Sequence, residues 1–350
     1  MREAKDVTVA QLFSYDDIID VRSPAEYAED HAPGAISAPV LSNEERARVG
    51  TLHAVSPFEA KKLGAALIAR NVASHLETMF KDKPRTWRPL VYCWRGGQRS
   101  GAMAHILAQV GWHTARLQGG YKTYRRHIIE ELQRLPARFA FRVVCGATGS
   151  GKSRLLRALH EQGAQVLDLE QLAQHRGSLL GNLPDEPQPS QKMFDSLVWN
   201  ALRNFDAKHP VFVEAESKKI GAVAVPDALL ENMRAAQCVL IDASVPARVK
   251  LLMEDYRHFL RAPDLLTQRL APLAGLHGHQ VIAEWKTLAE QGRWQALVED
   301  LLVRHYDPAY RRSTTANFPR LKEAALVHLN ALDDAGMRDA AASLHQTGMW

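Results

Sequence analysis

A cysteine in the first third of the chain follows an apolar run and begins a loop of glycine and arginine. The stretch reads LVYCWRGGQRS, from Leu90 to Ser100. Glycines let the backbone curl so that N–H groups point inward, and arginine side chains add guanidinium donors to an anion. Such surroundings also lower the pKa of a thiol and make it nucleophilic. We therefore predict a nucleophile within an anion-binding loop, formed by Cys93, Arg95, Gly96, Gly97 and Arg99.

The middle of the chain carries a complete phosphate-binding loop. It follows the apolar run FRVVC and precedes the spacing of a helix, RLLRALHEQG. In this motif backbone N–H groups cradle a diphosphate, Lys152 supplies a positive charge and Ser153 can hold Mg²⁺. The predicted diphosphate site consists of Gly146, Ala147, Thr148, Gly149, Ser150, Gly151, Lys152 and Ser153.

Three apolar runs after the phosphate-binding loop end in carboxylates, as the strands of a parallel sheet would. The first ends at Asp168 and Glu170, the second at Glu214 and Glu216, and the third at Asp242. None is a clean apolar run that ends in Asp-Asp or Asp-Glu, so the sequence does not establish hydrolysis of ATP. We predict Asp168, Glu214 and Glu216 as acids or Mg²⁺ ligands, although any of them can instead cap the next helix.

Two segments of the second half are rich in basic, aromatic and polar residues. One begins at HRGS and continues into the Pro- and Gln-rich loop Leu183–Gln191, and the other reads RHYDPAYRR. Basic residues interleaved with aromatics suit phosphates and unpaired bases, but a solvated loop or helix end explains them equally well. The predicted RNA contacts are His175, Arg176, Arg304, His305, Tyr306, Arg311 and Arg312.

Strand patterns alternate with helical patterns along both halves of the chain. In the first half, Ile18–Val21 and the run RPLVYC indicate strands, and helices are predicted to begin after Ser23 and near Ser100. This alternation predicts parallel α/β sheets, which bind their ligands at the carboxyl ends of the strands. Both anion loops directly follow predicted strands, so both fall at that edge of a sheet.

Composition limits the class of protein. The 350 residues are 46% hydrophobic, which suits two packed domains rather than disorder. A net charge of +5 permits binding to a polyanion without establishing it. No apolar run approaches twenty residues, and the first residues show no secretion signal. With only three cysteines in the sequence, we predict a cytoplasmic protein without membrane contact.

The N-terminal motifs resemble those of the rhodanese domain. DVRSPAEYAEDHAPGAISAP is similar to the first rhodanese signature, and LQGGY resembles the glycine pair at a strand end of that fold. Rhodaneses carry sulfur on the loop cysteine as a persulfide. Here five residues separate Cys93 from Arg99, a spacing shared with cysteine-dependent phosphatases of this fold and one residue longer than is typical of sulfur carriers. The resemblance therefore implies a tetrahedral, phosphate-like donor.

The order of the motifs along the chain resembles that of the bacterial tRNA 2-selenouridine synthases. The phosphate-binding loop is followed by DLEQLAQHRGS, QPSQK, VFVEAESKKIG and HYDPAY, and the resemblance covers about residues 5–325. It implies an N-terminal rhodanese-like parallel-sheet domain and a P-loop NTPase-like parallel α/β domain. The predicted bounds are 1–134 for the first, with a helical insertion at about 43–80, 135–330 for the second, and 331–350 for a helical tail.

The same resemblance implies a transferase that acts twice on the wobble uridine of a tRNA carrying 2-thiouridine. Geranyl diphosphate first alkylates the 2-thio sulfur, while Lys152, as a catalytic residue, and Mg²⁺ stabilise the departing diphosphate. Selenophosphate then supplies selenium, and the geranylated sulfur leaves. Cys93 either carries the selenium as a perselenide or only positions the donor.

Three other functions remain compatible with these residues. They are a rhodanese-type sulfurtransferase fused to a small-molecule kinase, a cysteine-dependent phosphatase, and an RNA-binding regulator that uses a nucleotide as a switch. Mass analysis of incubated tRNA separates them, because only the synthase adds a geranyl group and then exchanges sulfur for selenium.

Overall fold

A computed structural model describes residues 3–182, 186–329, 331–346 and 348–349. The chain folds into two compact units, of which the first comprises Met1–Glu131 with Asp195–Trp199, and the second Leu132–Phe194 with Asn200–Trp350. Residues 183–185 of the Pro- and Gln-rich loop lie outside the described residues, as do residues 1–2, 347 and 350 of the predicted end segments and residue 330, the predicted end of the second domain. The predicted boundary between residues 134 and 135 stays a prediction.

A five-stranded parallel sheet forms the first unit. Its strands are β1 (Lys5–Val7), β2 (Asp17–Asp20), β3 (Ile36–Ser37), β4 (Pro89–Tyr92) and β5 (Ala115–Leu117). They lie in the order β1-β5-β4-β2-β3, and the pairings between them are parallel. All four residues of the central strand β4 are buried, which accounts for its continuous apolar sequence.

The helices of this part of the chain begin close to the residues that their capping signals indicate. They are α1 (Pro24–Glu29), α2 (Asn43–Val55), α3 (Pro57–Glu77), α4 (Gln98–Val110) and α5 (Gly120–Arg134). α1 begins directly after Ser23, as the sequence predicts, and the structure adds a capping box in which the Ser23 N–H donates to Glu26 at 3.1 Å. α4 begins two residues before the predicted Ser100, because Gly97 takes the N-cap position.

The second unit is built on another parallel sheet. Its strands are β6 (Phe141–Gly146), β7 (Gln165–Leu167), β8 (Val211–Glu214), β9 (Lys219–Ile220), β10 (Val223–Ala224), β11 (Gln237–Ala243) and β12 (Ala325–Leu329). Five of them pair in parallel in the order β12-β11-β6-β8-β7, while β9 and β10 form an antiparallel pair. The predicted fold class, parallel α/β in both halves, is confirmed.

Helices cover this second sheet and extend from it. They are α6 (Lys152–Glu161), α7 (Leu169–Leu172), α8 (Gln191–Arg203), α9 (Asp227–Ala235), α10 (Val245–Asp255), α11 (Arg257–Arg261), α12 (Pro263–Leu270), α13 (Ala274–His277), α14 (His279–Glu290), α15 (Trp294–Leu301), α16 (Asp307–Asn317) and α17 (Asp334–Gln346). A π-helical turn, Leu302–Tyr306, joins α15 to α16. α17 buries Met337, Ala341 and Leu344 in the core beside α6, so the predicted tail packs as part of this unit. None of the helices in the described ranges is long and apolar enough to cross a membrane.

Candidate functional site

The loop after β4 places Cys93 at the carboxyl end of the central strand of the first sheet. The buried Cys93 accepts the N–H of Tyr121 on its carbonyl oxygen at 2.8 Å. Gly96 and Gly120 adopt φ angles of +67° and +58°, and a Cβ atom on either would collide with the opposing backbone. The glycines of WRGG and LQGGY are therefore needed because these two segments approach each other closely.

Hydrogen-bond donors surround the thiol of Cys93. The Ser100 hydroxyl oxygen lies 3.2 Å from Sγ, and the backbone N–H groups of Arg95 and Ser100 also donate to the sulfur. Burial raises the pKa of Cys93, but these hydrogen bonds and the positive charge of Arg99 lower it more, so that the net pKa is below the ordinary value. The loop therefore favours the thiolate, which is the nucleophilic form.

The two arginines of the loop have different surroundings. Arg95 is exposed, whereas Arg99 forms an ion pair with Glu26 at 2.8 Å. Burial raises the pKa of Glu26, but the hydrogen bond and the positive charge of Arg99 lower it by more, and the net pKa is about 2. In this structure the Arg99 guanidinium is paired with the Glu26 carboxylate. The contact of Arg99 with a bound anion stays a prediction. Sequence analysis missed Glu26 as a site residue, and its capping box gave no sign of the pairing with Arg99.

The phosphate-binding loop joins β6 to α6 and contains two residues with positive φ, Gly149 and Gly151. Lys152, the first residue of α6, donates from Nζ to the carbonyl oxygen of Gly146 at 3.0 Å. The Tyr310 hydroxyl oxygen accepts the N–H of Gly146 at 2.6 Å, and Lys152 Nζ lies 5.8 Å from the centre of the Tyr310 ring. Tyr310 of α16 is thus a close neighbour of the loop that sequence analysis left outside the diphosphate site.

Carboxylates crowd beside Ser153 at the ends of β7 and β8. The Ser153 hydroxyl donates to Glu170 at 3.1 Å, and the N–H of Glu170 donates to Glu214 at 2.6 Å. Glu214 is 1% exposed, and its Oε2 has no hydrogen-bond partner among the described residues. Burial, together with the neighbouring carboxylates, raises the pKa of Glu214 well above its usual value and that of Glu216 to about 8. Such crowding favours a bound proton or a nearby cation.

Asp168, the third predicted acid, caps a helix. Its carboxylate accepts the N–H of Gln171 at 2.8 Å at the start of α7, and burial raises the pKa of Asp168. The acid that contacts Ser153 is instead Glu170, two residues further on, which sequence analysis noted only as the end of an apolar run. Within the described ranges, no group of three or more His, Cys, Asp or Glu side chains is arranged to hold a metal ion.

A cleft of about 1180 Å³ opens beside the phosphate-binding loop in the second unit. It brings together residues from the predicted diphosphate site, the predicted acids and the predicted RNA contacts. Its lining includes Lys152, Ser153, Asp168, Glu170, Glu216, His175, Arg176, His305, Tyr306 and Tyr310. Residues from four separate stretches of sequence thus line one cleft.

Comparison with known proteins identifies the family. The family model described as a Rhodanese-like domain matches residues 5–127, and the one described as the tRNA 2-selenouridine synthase AAA domain matches residues 139–268. The tRNA 2-selenouridine synthase of Nitrosomonas europaea is 35% identical over 266 residues, which cover 73% of this chain and 68% of the relative. The chain belongs to the tRNA 2-selenouridine synthase family.

Two further tRNA 2-selenouridine synthases match over longer stretches. The relative from Bdellovibrio bacteriovorus is 32% identical over 359 residues and covers 89% of this chain and 94% of its own length. The relative from Aeromonas salmonicida is 34% identical over 333 residues, and the match covers 86% of this chain and 88% of the relative. The resemblance to tRNA 2-selenouridine synthases that the motifs indicate is thereby confirmed.

Two of the RNA contacts predicted for this selenouridine synthase family member lie next to each other in the cleft. His175 is buried, its Nδ1 accepts the N–H of Gly177 at 3.1 Å, and burial lowers its pKa. Its imidazole is therefore neutral at physiological pH and does not attract phosphate by charge. The Arg176 guanidinium lies 5.0 Å from the centre of the Tyr256 ring and donates to the carbonyl oxygen of Asp255 at 3.0 Å.

The other predicted RNA contacts differ in whether their positive charges are already paired with carboxylates. Arg304 forms ion pairs with Glu284 at 3.0 Å and Asp300 at 3.3 Å. Arg311 and Arg312 are exposed on α16 and have no salt-bridge partner in the part of the chain that the structure describes. His305 and Tyr306 line the cleft, where the His305 imidazole contacts His277 at 3.0 Å. Arg311 and Arg312 are better placed for phosphates than Arg304, and all of these contacts stay predictions.

Replacing Ser100 by alanine should slow alkylation of Cys93 by iodoacetamide at neutral pH, roughly fivefold to tenfold, because a hydrogen bond to the thiolate is lost. The rate should recover as the pH rises and the thiol ionises. Peptide mass spectrometry across a pH series measures the rate at Cys93 alone. Ser74→Ala, on the exposed face of α3, is the matched control. An unchanged profile for Ser100→Ala would show that this hydroxyl does not stabilise the thiolate.

Proposed function

We propose that this chain replaces the 2-thio sulfur of the wobble uridine of a tRNA by selenium, with geranylation as the first step. The observation that carries the proposal is the presence of two separate anion loops, each following the central strand of a parallel sheet. One loop holds a thiol with a lowered pKa, and the other holds Lys152. Two anionic co-substrates, a diphosphate and a selenophosphate, suit two such loops. We place the reaction in the cytoplasm with its tRNA.

In the first step, the sulfur of 2-thiouridine attacks the first carbon of geranyl diphosphate. The carbon–sulfur bond forms, the carbon–oxygen bond breaks, diphosphate leaves and N3 of the base loses its proton. Negative charge on the diphosphate grows as the bond breaks, so a positive group beside it stabilises the transition state more than the bound substrate. Lys152, which donates to the Gly146 carbonyl oxygen at 3.0 Å, is the group able to turn toward that diphosphate.

The residues beside the loop fit Mg²⁺. Mg²⁺ usually binds through one or two carboxylates together with phosphate oxygens and water, so a cage of protein ligands is not needed. The oxygens of Ser153 and Glu170 are 3.1 Å apart. The N–H of Glu170 donates to the buried Glu214, whose Oε2 has no hydrogen-bond partner among the described residues. Ser153 and Glu170 would hold the ion, which would neutralise part of the diphosphate charge when bound.

In the second step, selenium from selenophosphate becomes bonded to C2 of the base, and the geranylated sulfur leaves as a thiol. Alkylation prepares this exchange, because an alkylated sulfur is a better leaving group than a thiocarbonyl sulfur. The Cys93 loop suits the donor, since its N–H groups and the first turn of α4 favour an anion. Mass spectrometry of tRNA incubated first with geranyl diphosphate and then with selenophosphate tests the proposal. Selenium incorporation without any geranylated intermediate would contradict it.

Binding of tRNA should weaken steeply with salt, and replacing Arg311 and Arg312 by glutamine should flatten that dependence. Two lost phosphate contacts should reduce the slope of log affinity against log salt by about 1.5. The matched control, Arg304→Gln with Arg320→Gln, also removes two charges, but both of these arginines are already paired with acids. Equal slopes for the two double variants would place the RNA elsewhere on the surface.

A further inference from the structure

The loop around Cys93 holds a nucleophile where a phosphate-like anion would bind, and this raises the question of which donor atom it attacks. We propose that the Cys93 thiolate attacks the phosphorus of selenophosphate, becomes transiently phosphorylated, and releases the selenium as hydroselenide. The inference rests on the proposed function, because that function supplies selenophosphate as the donor. It adds a phosphoryl-transfer activity to the first unit.

Electron counting separates attack at phosphorus from attack at selenium. If the thiolate attacked selenium, the phosphorus–selenium bonding pair would remain on phosphorus and phosphite would leave. Selenium would then be oxidised, and formation of phosphate would require a further oxidant. If the thiolate attacks phosphorus, the sulfur–phosphorus bond forms and the bonding pair leaves with selenium. Phosphorus and selenium keep their oxidation states, and no other redox partner is needed.

The geometry of the loop suits an attack on a tetrahedral centre. Cys93 Sγ is buried under the first turn of α4, and the N–H groups of Arg95 and Ser100 converge on it. In phosphoryl transfer the nucleophile and the leaving group are in line, and charge spreads over three equatorial oxygens that need donors. Backbone N–H groups and a helix N-terminus supply such donors without reorganisation. The Arg99 guanidinium, held by Glu26 at 2.8 Å, adds positive charge that already acts on the Cys93 thiol.

Ser100 is placed to assist both formation and breakdown of the phosphorylated cysteine. Its hydroxyl oxygen is 3.2 Å from Sγ, and the residue is fully buried. It stabilises the thiolate before the attack and again when the thiolate leaves. In that last step water attacks phosphorus, the sulfur–phosphorus bond breaks, phosphate departs and a proton from the water is released. Ser100 is thus a positioning residue, and its loss should slow hydrolysis of the phosphorylated cysteine so that this form persists.

The released hydroselenide completes the exchange at the base. It attacks C2 of the geranylated uridine, and its electron pair forms the carbon–selenium bond. Geranyl thiolate leaves with the carbon–sulfur bonding pair, and the selenium-bound proton moves to N3. The product is 2-selenouridine, the thiolate takes up a proton from water, and Cys93 carries no selenium at any stage.

Two parallel incubations of the full-length protein test this step, one with ³²P-labelled and one with ⁷⁵Se-labelled selenophosphate. Samples are denatured within the first turnover, and the Cys93 peptide is isolated. We expect ³²P but not ⁷⁵Se on Cys93, and Ser100→Ala should keep the ³²P about tenfold longer or more, because a hydrogen bond to the leaving thiolate is lost. Cys238→Ala, which removes another buried thiol, should label as the unchanged protein does.

Each other pattern of labels overturns the inference. Retention of ⁷⁵Se on Cys93 would show a perselenide carrier. If neither label is retained in the unchanged protein or in Ser100→Ala, Cys93 only positions the donor. The tRNA from the same incubations is analysed for selenium, so that failure of the proposed function is recognised separately. In that case the unchanged protein leaves geranylated tRNA unselenated, whatever the label on Cys93.

Discussion

Replacing Cys93 by alanine should abolish transfer of selenium to tRNA while leaving geranylation and tRNA binding nearly unchanged. The thiol lies in the loop after β4 in the first unit, whereas the phosphate-binding loop belongs to the second. Loss of a nucleophile on which a covalent step depends lowers a rate by about 10⁴-fold or more. The measurement starts from tRNA that is already geranylated, adds selenophosphate, and follows selenium in the nucleosides by mass spectrometry.

Two variants make the Cys93 result specific. Cys238→Ala removes a buried thiol from β11 and should carry out both half-reactions normally. Cys93→Ser keeps the shape of the side chain but not the low pKa of a thiol, so it should be as inactive in selenation as the alanine variant. Normal selenation by Cys93→Ala would refute the assignment of Cys93 as the nucleophile.

Replacing Lys152 by alanine should lower the rate of geranylation by roughly 100-fold or more, the scale seen when a preorganised charge-stabilising group is lost. Affinity for geranyl diphosphate should fall much less, because the backbone N–H groups of the loop are unchanged. The charge that Lys152 neutralises develops as the carbon–oxygen bond breaks, so the effect belongs to the transition state. Selenation of tRNA that is already geranylated should survive, since that step uses the Cys93 loop.

A single-turnover assay of both half-reactions, with and without ATP, measures these expectations for Lys152. ATP should be neither consumed nor required, because diphosphate is already the leaving group in the first step. Lys250→Ala, at an exposed position on α10 in the same unit, is the matched control and should behave as the unchanged protein does. Normal geranylation by Lys152→Ala, or geranylation that needs ATP hydrolysis, would make the loop an ordinary nucleotide site.

The sequence by itself determined the two loops, the parallel α/β class and the family. Each loop is built from consecutive residues, so the residue types that determine its chemistry are recognisable in a short stretch of sequence. The glycines with positive φ, such as Gly96 and Gly151, stand inside the motifs that need them. The strand before each loop and the helix after it are also local patterns, because β4 is continuously buried and Lys152 begins α6. For these reasons the anion loops could be located without coordinates.

The tertiary structure alone decided which side chains meet at each loop. Arg99 meets Glu26 from 73 positions away, and the N–H of Gly146 meets Tyr310 from 164 positions away. Motif spacing carries no information about such contacts, because strand order and helix packing bring the partners together. The sequence also could not predict which of two nearby acids, Asp168 or Glu170, contacts the phosphate-binding loop. Asp168 turns to cap α7 while Glu170 reaches Ser153, and only the path of the chain after β7 separates these two roles.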